Sequence, residues 1–196
     1  MKKISGILLA GGKSSRMGTN KAFLSFKNNN LYEYPLQILE AFCSEILISA
    51  PLNTFSDIKY RHIPDLFPGI GPIGGIYSCL QNISHTHALV ISCDIPLITE
   101  SFIKFLLQQP ADYDMIIGEN PAGNFEPLAG IYSVSLIPKI KDNIKEKKNK
   151  ITHLLQQNIN ANIISLKKEG FNPDIFMNIN TKEDLQKAEQ LYDKLR

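Results

Sequence analysis

The sequence predicts an α/β protein built on a doubly wound, mostly parallel sheet. The first supporting observation is that short apolar runs of strand length alternate along the chain with segments whose apolar residues recur at helical spacing. The second is that residues 4–10 and 87–92 are apolar at most positions, which is typical of strands buried on both faces of a sheet. A chain of 196 residues is long enough for one domain with a full hydrophobic core.

The elements of the first half each carry a local signal. Strands are predicted at residues 4–10, 45–50, 59–63 and 87–92, and helices at residues 31–42, 73–83 and 99–107. Pro35 fits near the start of the first helix, where its missing N–H costs least. The second helix is entered through Gly71-Pro72, and Thr99 is predicted to cap the third.

The second half is less regular. Strands are predicted at residues 114–118, 126–134, 162–166 and 176–179, and helical segments at residues 136–145 and 151–157. The last helix has the clearest signal, because Thr181 and Asp184 form a start like a capping box and one apolar face follows. Parallel strands place their carboxyl ends on one edge of a sheet, so the loops after Ala10, Ile63 and Ser92 are expected to meet there around a ligand.

Composition excludes several classes of protein. A formal net charge of +2 argues against a dedicated nucleic-acid binder, which usually has a strong basic excess. The three cysteines are odd in number and lack metal-ligand spacing, so free thiols in a reducing compartment are expected. No stretch approaches the roughly 20 apolar residues needed to span a membrane. These features predict a cytoplasmic protein.

The loop after the first predicted strand has the composition of a phosphate-binding turn. Gly11-Gly12 end the strand and are followed by Arg16, Gly18 and Lys21. Glycines let the backbone approach closely and point N–H groups at oxyanions, while the cationic side chains neutralise charge. The spacing matches neither a Walker A loop nor the dinucleotide-binding pattern G-x-G-x-x-G. A plain strand-to-helix turn with incidental charges is the alternative interpretation.

From Leu9 to Lys21 the chain reads L-A-G-G-x-S-x-R-M-G-x-x-K, which resembles the signature loop of the nucleotidyltransferase superfamily. Within it, the glycine pair and the Arg-Met-Gly triplet are most similar to the molybdenum cofactor guanylyltransferase family. The resemblance implies a Rossmann-like fold of the nucleotide-diphospho-sugar transferase type. It also implies one domain over residues 1–196, binding the nucleotide in about 1–110 and the acceptor in about 111–196. The residues implied to bind the nucleotide are Leu9, Ala10, Gly11, Gly12, Lys21, Asp65, Gly71, Pro72, Gly74 and Asp94.

Two further segments carry the resemblance. The stretch that begins at Asp65 is rich in glycine and proline and resembles the family's loop that holds the nucleoside. A tight turn feeding a helix, with Asp65 as a solvated cap, is the alternative there. The C-D-I-P segment at Asp94 resembles the family's metal-binding element, in which the aspartate bridges Mg²⁺ to the triphosphate. Here the alternative is a turn aspartate that precedes a helix.

Similarity to the family extends to the acceptor side. Glu126, Asn178 and Asn180 lie in segments that resemble its acceptor-lining stretch and its N-x-N-T motif, and all three are implied to bind the acceptor. Many superfamily relatives have an aspartate as a second metal ligand where Asn180 stands, so Asn180 would reach metal or phosphate as a neutral carbonyl. For both asparagines the alternative is a structural role, at the end of a strand or in capping a helix. Ser49 replaces an asparagine that reads the base in some guanylyltransferases, and residues 135–152 contain lysines where family members often have an arginine. Base choice and acceptor contacts are therefore left open.

The resemblance implies an enzyme that transfers GMP from GTP to Mo-molybdopterin, releasing pyrophosphate and forming the guanine dinucleotide cofactor. Arg16, Lys21 and Asp94 are the implied catalytic residues, with Asp94 the metal ligand and Mg²⁺ the cofactor. Neither nucleic acid nor membrane is implied as a partner, and transient contact with proteins that make or receive the cofactor is expected. The alternatives are a related nucleotidyltransferase that uses CTP or a sugar-1-phosphate acceptor, and a non-catalytic nucleotide-binding module.

Overall fold

The computed structural model describes residues 4–11, 21–52, 54–55 and 58–195, and it confirms the α/β fold. The strands are β1 (Ser5–Leu9), β2 (Ser25–Phe26), β3 (Asn29–Asn30), β4 (Glu45–Ser49), β5 (Arg61–Ile63), β6 (His87–Ser92), β7 (Met115–Glu119), β8 (Phe125–Ser133) and β9 (Ala161–Ser165). The α-helices are α1 (Glu33–Phe42), α2 (Pro72–Leu80), α3 (Glu100–Gln108), α4 (Ile137–Lys145), α5 (Leu166–Glu169) and α6 (Lys182–Leu195). Short 3-10 helices cover Lys21–Phe23, Val134–Leu136, Ile151–Gln156 and Pro173–Phe176.

The central sheet has seven strands in the order β5-β4-β1-β6-β8-β7-β9, while β2 and β3 form a separate hairpin. Strand β1 pairs in parallel with β4 and β6, and β4 pairs in parallel with β5. Only β8 runs against its neighbours β6 and β7 among these pairs, so the sheet is mostly parallel as predicted. One sheet thus contains strands from both halves of the chain. The division into a nucleotide-binding half and an acceptor-binding half stays a prediction.

Helices cover both faces of the sheet because successive strand residues point to opposite sides. Leu8, Ile48 and Ile91 belong to the core shared with α1 and α3. The residues directly before them, Ile7, Leu47 and Val90, belong to the core shared with α2 and α4. These six strand residues are fully buried, which explains the near-continuous apolar runs in the sequence.

Helix α6 begins with the predicted capping box. Asp184 N–H donates to Thr181 Oγ1 at 3.0 Å, and Asp184 Oδ2 accepts from the backbone N–H groups of Asn180 and Thr181, each at 2.9 Å. This satisfies N–H groups that the first turn of a helix leaves unpaired. The hydrogen bond from Asn180 N–H is the main reason why the pKa of the Asp184 carboxyl is lowered. The start of α6, and with it Asn180, is therefore fixed locally.

The predicted strand at residues 176–179 is wrong. The chain instead forms the 3-10 helix Pro173–Phe176 and then crosses the sheet edge, where Ile179 N–H donates to the carbonyl of Asp94 at 2.9 Å. Phe176 is buried beside Phe102 in the α1–α3 core, and Ile179 is buried in a cluster with residues of α6 and the β2–β3 hairpin. The apolar pattern therefore reflects two separate packing contacts and not a strand.

None of the helices within the described ranges is long and apolar enough to cross a membrane.

Candidate functional site

A cleft of about 220 Å³ lies where the central parallel strands end. The registers of β1 with β4 and β6 align Leu9 with Ser49 and with Ser92, so the three loops that follow begin side by side. Backbone bonds hold this edge together, because Ala10 N–H donates to Ser49 O and Cys93 N–H to Leu9 O, each at 3.0 Å. The prediction that the loops after Ala10, Ile63 and Ser92 meet is confirmed, since Gly11, Asp65 and Asp94 all line the cleft. The described lining residues are Leu9, Ala10, Gly11, Lys21, Ser49, Asp65, Gly71, Pro72, Gly75, Ser92, Cys93, Asp94 and Leu128.

Lys21 and Asp94 lie in contact in this cleft although 73 residues separate them in the chain. Lys21 Nζ is 3.4 Å from Asp94 Oδ2, and each side chain is 20% exposed. The same ammonium donates to Asn180 Oδ1 at 2.5 Å. The structure therefore joins the first loop, the β6 loop and the start of α6 through one cation.

Asp94 is also fixed from a second side. Ser92 Oγ donates to Asp94 Oδ1 at 2.6 Å, which orients the carboxylate and leaves Oδ2 toward Lys21. The backbone carbonyl of Asp94 accepts the N–H of Ile179, a fully buried residue. A carboxylate held this way presents one oxygen toward the cleft in a fixed orientation.

At the opposite side of the cleft, Asp65 pairs with Ser49, whose Oγ donates to Asp65 Oδ1 at 3.1 Å. Burial raises the pKa of the Asp65 carboxyl, and the hydrogen bond from Ser49 offsets part of that shift. Asp65 is therefore not the solvated cap of the alternative interpretation. The pair offers a ligand a hydroxyl and a partly desolvated carboxyl.

Glycines at the N-cap and in the first turn of α2 allow this close packing. Gly71 has φ +87° at the N-cap of α2, a conformation that L side chains rarely adopt, and Pro72 follows at the first helical turn. A Cβ on Gly75 would lie 2.3 Å from Ser49 Oγ and 3.3 Å from Asp65 Oδ1. A Cβ on Gly74 would lie 2.9 Å from the carbonyl of Phe67, so Gly74 packs under the loop and is not among the lining residues.

We expect Gly75→Ala to lower the free energy of unfolding by about 1–3 kcal/mol, because the added methyl overlaps Ser49 Oγ in a packed site. Urea denaturation measures this. Ser49→Ala removes the overlapping hydroxyl, so the double variant should lose less stability than the sum of the two single variants. Strict additivity would contradict the contact.

The predicted acceptor residues lie outside the cleft lining. Glu126 Oε1 accepts from Asn120 Nδ2 at 2.8 Å, and burial raises the pKa of the Glu126 carboxyl. Asn178 Oδ1 is buried without a hydrogen-bond partner among the described residues. Asn180 contacts Lys21 on the nucleotide side of the site. A role of these three residues in binding an acceptor stays a prediction.

Two predicted residues, Gly12 and Arg16, lie outside the described residues, so the structure does not place them. Five lining residues were not predicted as site residues, namely Ser49, Gly75, Ser92, Cys93 and Leu128. Ser92 and Gly75 each lie beside a predicted motif, so the sequence could have identified them as site residues. Leu128 lies two residues after Glu126, within the stretch that resembles the family's acceptor-lining segment, so the sequence had signalled its neighbourhood as well.

The cysteines do not provide a nucleophile. Burial raises the pKa of each of the three thiols, Cys43, Cys79 and Cys93, to about 12. Cys93 lines the cleft, yet at neutral pH its thiolate fraction is negligible. The chemistry of the cleft therefore depends on charged groups and backbone.

Comparisons with known proteins agree with this geometry. Residues 6–162 match the family described as the MobA-like NTP transferase domain. The chain is 31% identical to a probable molybdenum cofactor guanylyltransferase of Carboxydothermus hydrogenoformans, covering 98% of each chain, and 32% identical to one of Bacillus subtilis, covering 97% of this chain and 96% of that one. Molybdopterin-guanine dinucleotide biosynthesis protein A from Archaeoglobus fulgidus has the same fold, with a TM-score of 0.80 and 24% identity over 97% of this chain and 100% of that one. The chain belongs to the MobA-like NTP transferase family, as the loop from Leu9 to Lys21 predicted.

Proposed function

We propose that this protein is a molybdenum cofactor guanylyltransferase, which transfers GMP from GTP to Mo-molybdopterin and releases pyrophosphate. The observation that carries the proposal is the convergence of Lys21, Asp94 and Asp65 in one cleft at the carboxyl edge of the parallel strands. The names of the relatives from Carboxydothermus and Bacillus support the choice of donor and acceptor.

Within this proposal the two sides of the cleft have different tasks. The backbone from Leu9 to Gly11 and the rigid loop at Gly71 would hold the nucleoside, with Asp65 as a polar contact. Lys21 would hold the triphosphate, together with Arg16. Leu128 closes the cleft on the β8 side, toward the segment of Glu126 that we propose to contact the acceptor.

The residues present fit a magnesium ion. Asp94 Oδ2 and Asn180 Oδ1 already contact one cation, the ammonium of Lys21. Among the described residues there is no group of three or more His, Cys, Asp or Glu side chains that could hold a metal alone. Mg²⁺ prefers oxygen ligands and is commonly bound by one or two carboxylates plus substrate phosphates, which matches this donor set. We propose Asp94 as the metal ligand.

The proposed chemistry needs little from the protein beyond position and charge. A phosphate monoester nucleophile is already ionised near neutral pH, so no general base is required. Lys21 and Arg16 would neutralise charge on the departing pyrophosphate, and the orientation of Asp94 by Ser92 would keep the metal position constant. A Mg²⁺ ion held by Asp94 would supply further positive charge to stabilise the reacting phosphate.

A thermal-shift measurement with GTP, CTP, UTP and ATP, each with Mg²⁺, tests the choice of donor. Ligand at about 100 times its dissociation constant stabilises a fold by roughly 2.7 kcal/mol, which corresponds to about 5–10 °C for a chain of this size. We expect this shift with GTP alone. A preference for CTP or UTP would replace the donor, and no shift with any nucleotide, with or without acceptor, would favour a non-catalytic module.

The proposal extends to the protein's surroundings. The cysteines are free, which supports a reducing, cytoplasmic location. Because the product is a cofactor for other enzymes, we also propose transient contact with proteins that make or receive it. Release of pyrophosphate from GTP that depends on both Mg²⁺ and Mo-molybdopterin would test the complete reaction.

A further inference from the structure

The ammonium of Lys21 lies where a cation bound by Asp94 and Asn180 would lie. It lies 3.4 Å from Asp94 Oδ2 and 2.5 Å from Asn180 Oδ1. These two oxygens are the hard donors that a divalent cation would use at this site. Lysine and metal therefore have a common set of partners.

One oxygen of Asp94 is already engaged by a neighbouring side chain. Its Oδ1 accepts the hydroxyl of Ser92 at 2.6 Å, so Oδ2 is the oxygen directed at Lys21. An ammonium and a divalent cation cannot both lie within contact distance of Oδ2 without strong like-charge repulsion. The two cations must compete for one carboxylate oxygen.

The two oxygen donors are tied to the backbone more firmly than the ammonium is. Asn180 is held by its backbone N–H, which donates to Asp184 Oδ2 at 2.9 Å in the first turn of α6. The neighbouring Ile179 is buried and donates its N–H to the carbonyl of Asp94 at 2.9 Å, which ties the two oxygen donors to each other through the backbone. Lys21 instead reaches them on a long, flexible stem.

We propose that Lys21 is a placeholder cation, which occupies the position between Asp94 and Asn180 until a triphosphate draws its ammonium away. This inference rests on the proposed function, since it concerns the same site. It has two consequences of opposite sign. Removing the ammonium strengthens binding of a divalent cation to the nucleotide-free protein and weakens binding of the nucleotide. Metal and nucleotide therefore enter as a pair in the wild-type protein.

The test is a titration of nucleotide-free protein with Mn²⁺, followed by electron paramagnetic resonance of the free ion at constant ionic strength. Lys21→Met keeps much of the stem and removes the charge, and we expect it to bind Mn²⁺ about tenfold or more tightly than wild type. Lys182→Met is the matched control, because it removes one positive charge two residues from Asn180 and should leave Mn²⁺ affinity near wild type. Adding Asp94→Asn to Lys21→Met should abolish the gain, which assigns the ion to Asp94.

Equal Mn²⁺ affinity of wild type and Lys21→Met would overturn the proposal, as would an equal gain in Lys182→Met. Circular dichroism and thermal unfolding confirm that each variant is folded. If Lys21→Met is not folded, Lys21→Gln gives the same comparison with a neutral donor that still reaches Asn180. The titration contains no nucleotide, so its failure is distinct from failure of the GTP thermal shift, which tests the proposed reaction.

Discussion

Asp94→Ala is expected to lower turnover about a hundredfold or more, since removing one group that stabilises charge at a reacting phosphate often costs that much. Asp94 is the carboxylate that faces Lys21 in the cleft and that we propose to hold the metal. Steady-state release of pyrophosphate at saturating GTP and acceptor measures the effect. Asp94→Asn should be impaired as strongly, because an amide keeps the shape and the contact with Ser92 but lacks the charge.

The control for this prediction is Asp112→Ala, which removes an exposed aspartate remote from the lining residues. It should leave turnover unchanged. Thermal unfolding of each variant separates a loss of catalysis from a loss of fold, since Asp94 also accepts the backbone N–H of Ile179 through its carbonyl, which the substitution retains. Turnover near wild type in Asp94→Ala, with the requirement for metal intact, would remove Asp94 from the mechanism.

Lys21→Ala should raise the dissociation constant for GTP about ten- to a hundredfold, because a hydrogen bond to a charged group contributes roughly 1.5–3 kcal/mol. Lys21 is held between Asp94 and Asn180, so its ammonium is already located at the edge of the cleft. Isothermal titration with a non-hydrolysable GTP analogue and Mg²⁺ measures the change.

Two comparisons sharpen that experiment. GMP lacks the β- and γ-phosphates, so its affinity should fall much less than that of the triphosphate if Lys21 contacts those groups. Lys182→Ala removes a positive charge near the same helix start and should have little effect. GTP affinity that is unchanged in Lys21→Ala would contradict the role of Lys21.

The sequence predicted most of the fold because its strands carry unambiguous signals. Residues 4–10 and 87–92 are apolar at most positions, which is typical of a strand covered on both faces, and they form the neighbouring interior strands β1 and β6. Strand ends also predicted the site, because parallel neighbours bring Leu9, Ser49 and Ser92 to one edge. Asp65 and Asp94 could therefore be assigned to a single cleft from loop positions alone.

Local pattern was insufficient where packing came from distant parts of the chain. Residues 176–179 are mostly apolar and were predicted as a strand, yet Phe176 packs on Phe102 while Ile179 packs near α6. The β2–β3 hairpin was missed for a related reason, since two-residue strands carry no periodicity. Such segments are specified by the surfaces they cover, which the local sequence does not contain.

The sequence by itself determined that this chain is a phosphate-binding α/β protein, since buried strands and glycine-rich, charged loops are encoded within a few neighbouring residues. Only the tertiary structure decided which groups of those loops touch. The ammonium of Lys21 contacts Asp94 and Asn180 because the segment before α6 is bonded to the backbone of Asp94, and Ser49 contacts Asp65 because Gly75 leaves room for it. These contacts depend on three-dimensional distances of a few ångströms between residues far apart in the chain, and no local pattern fixes such distances.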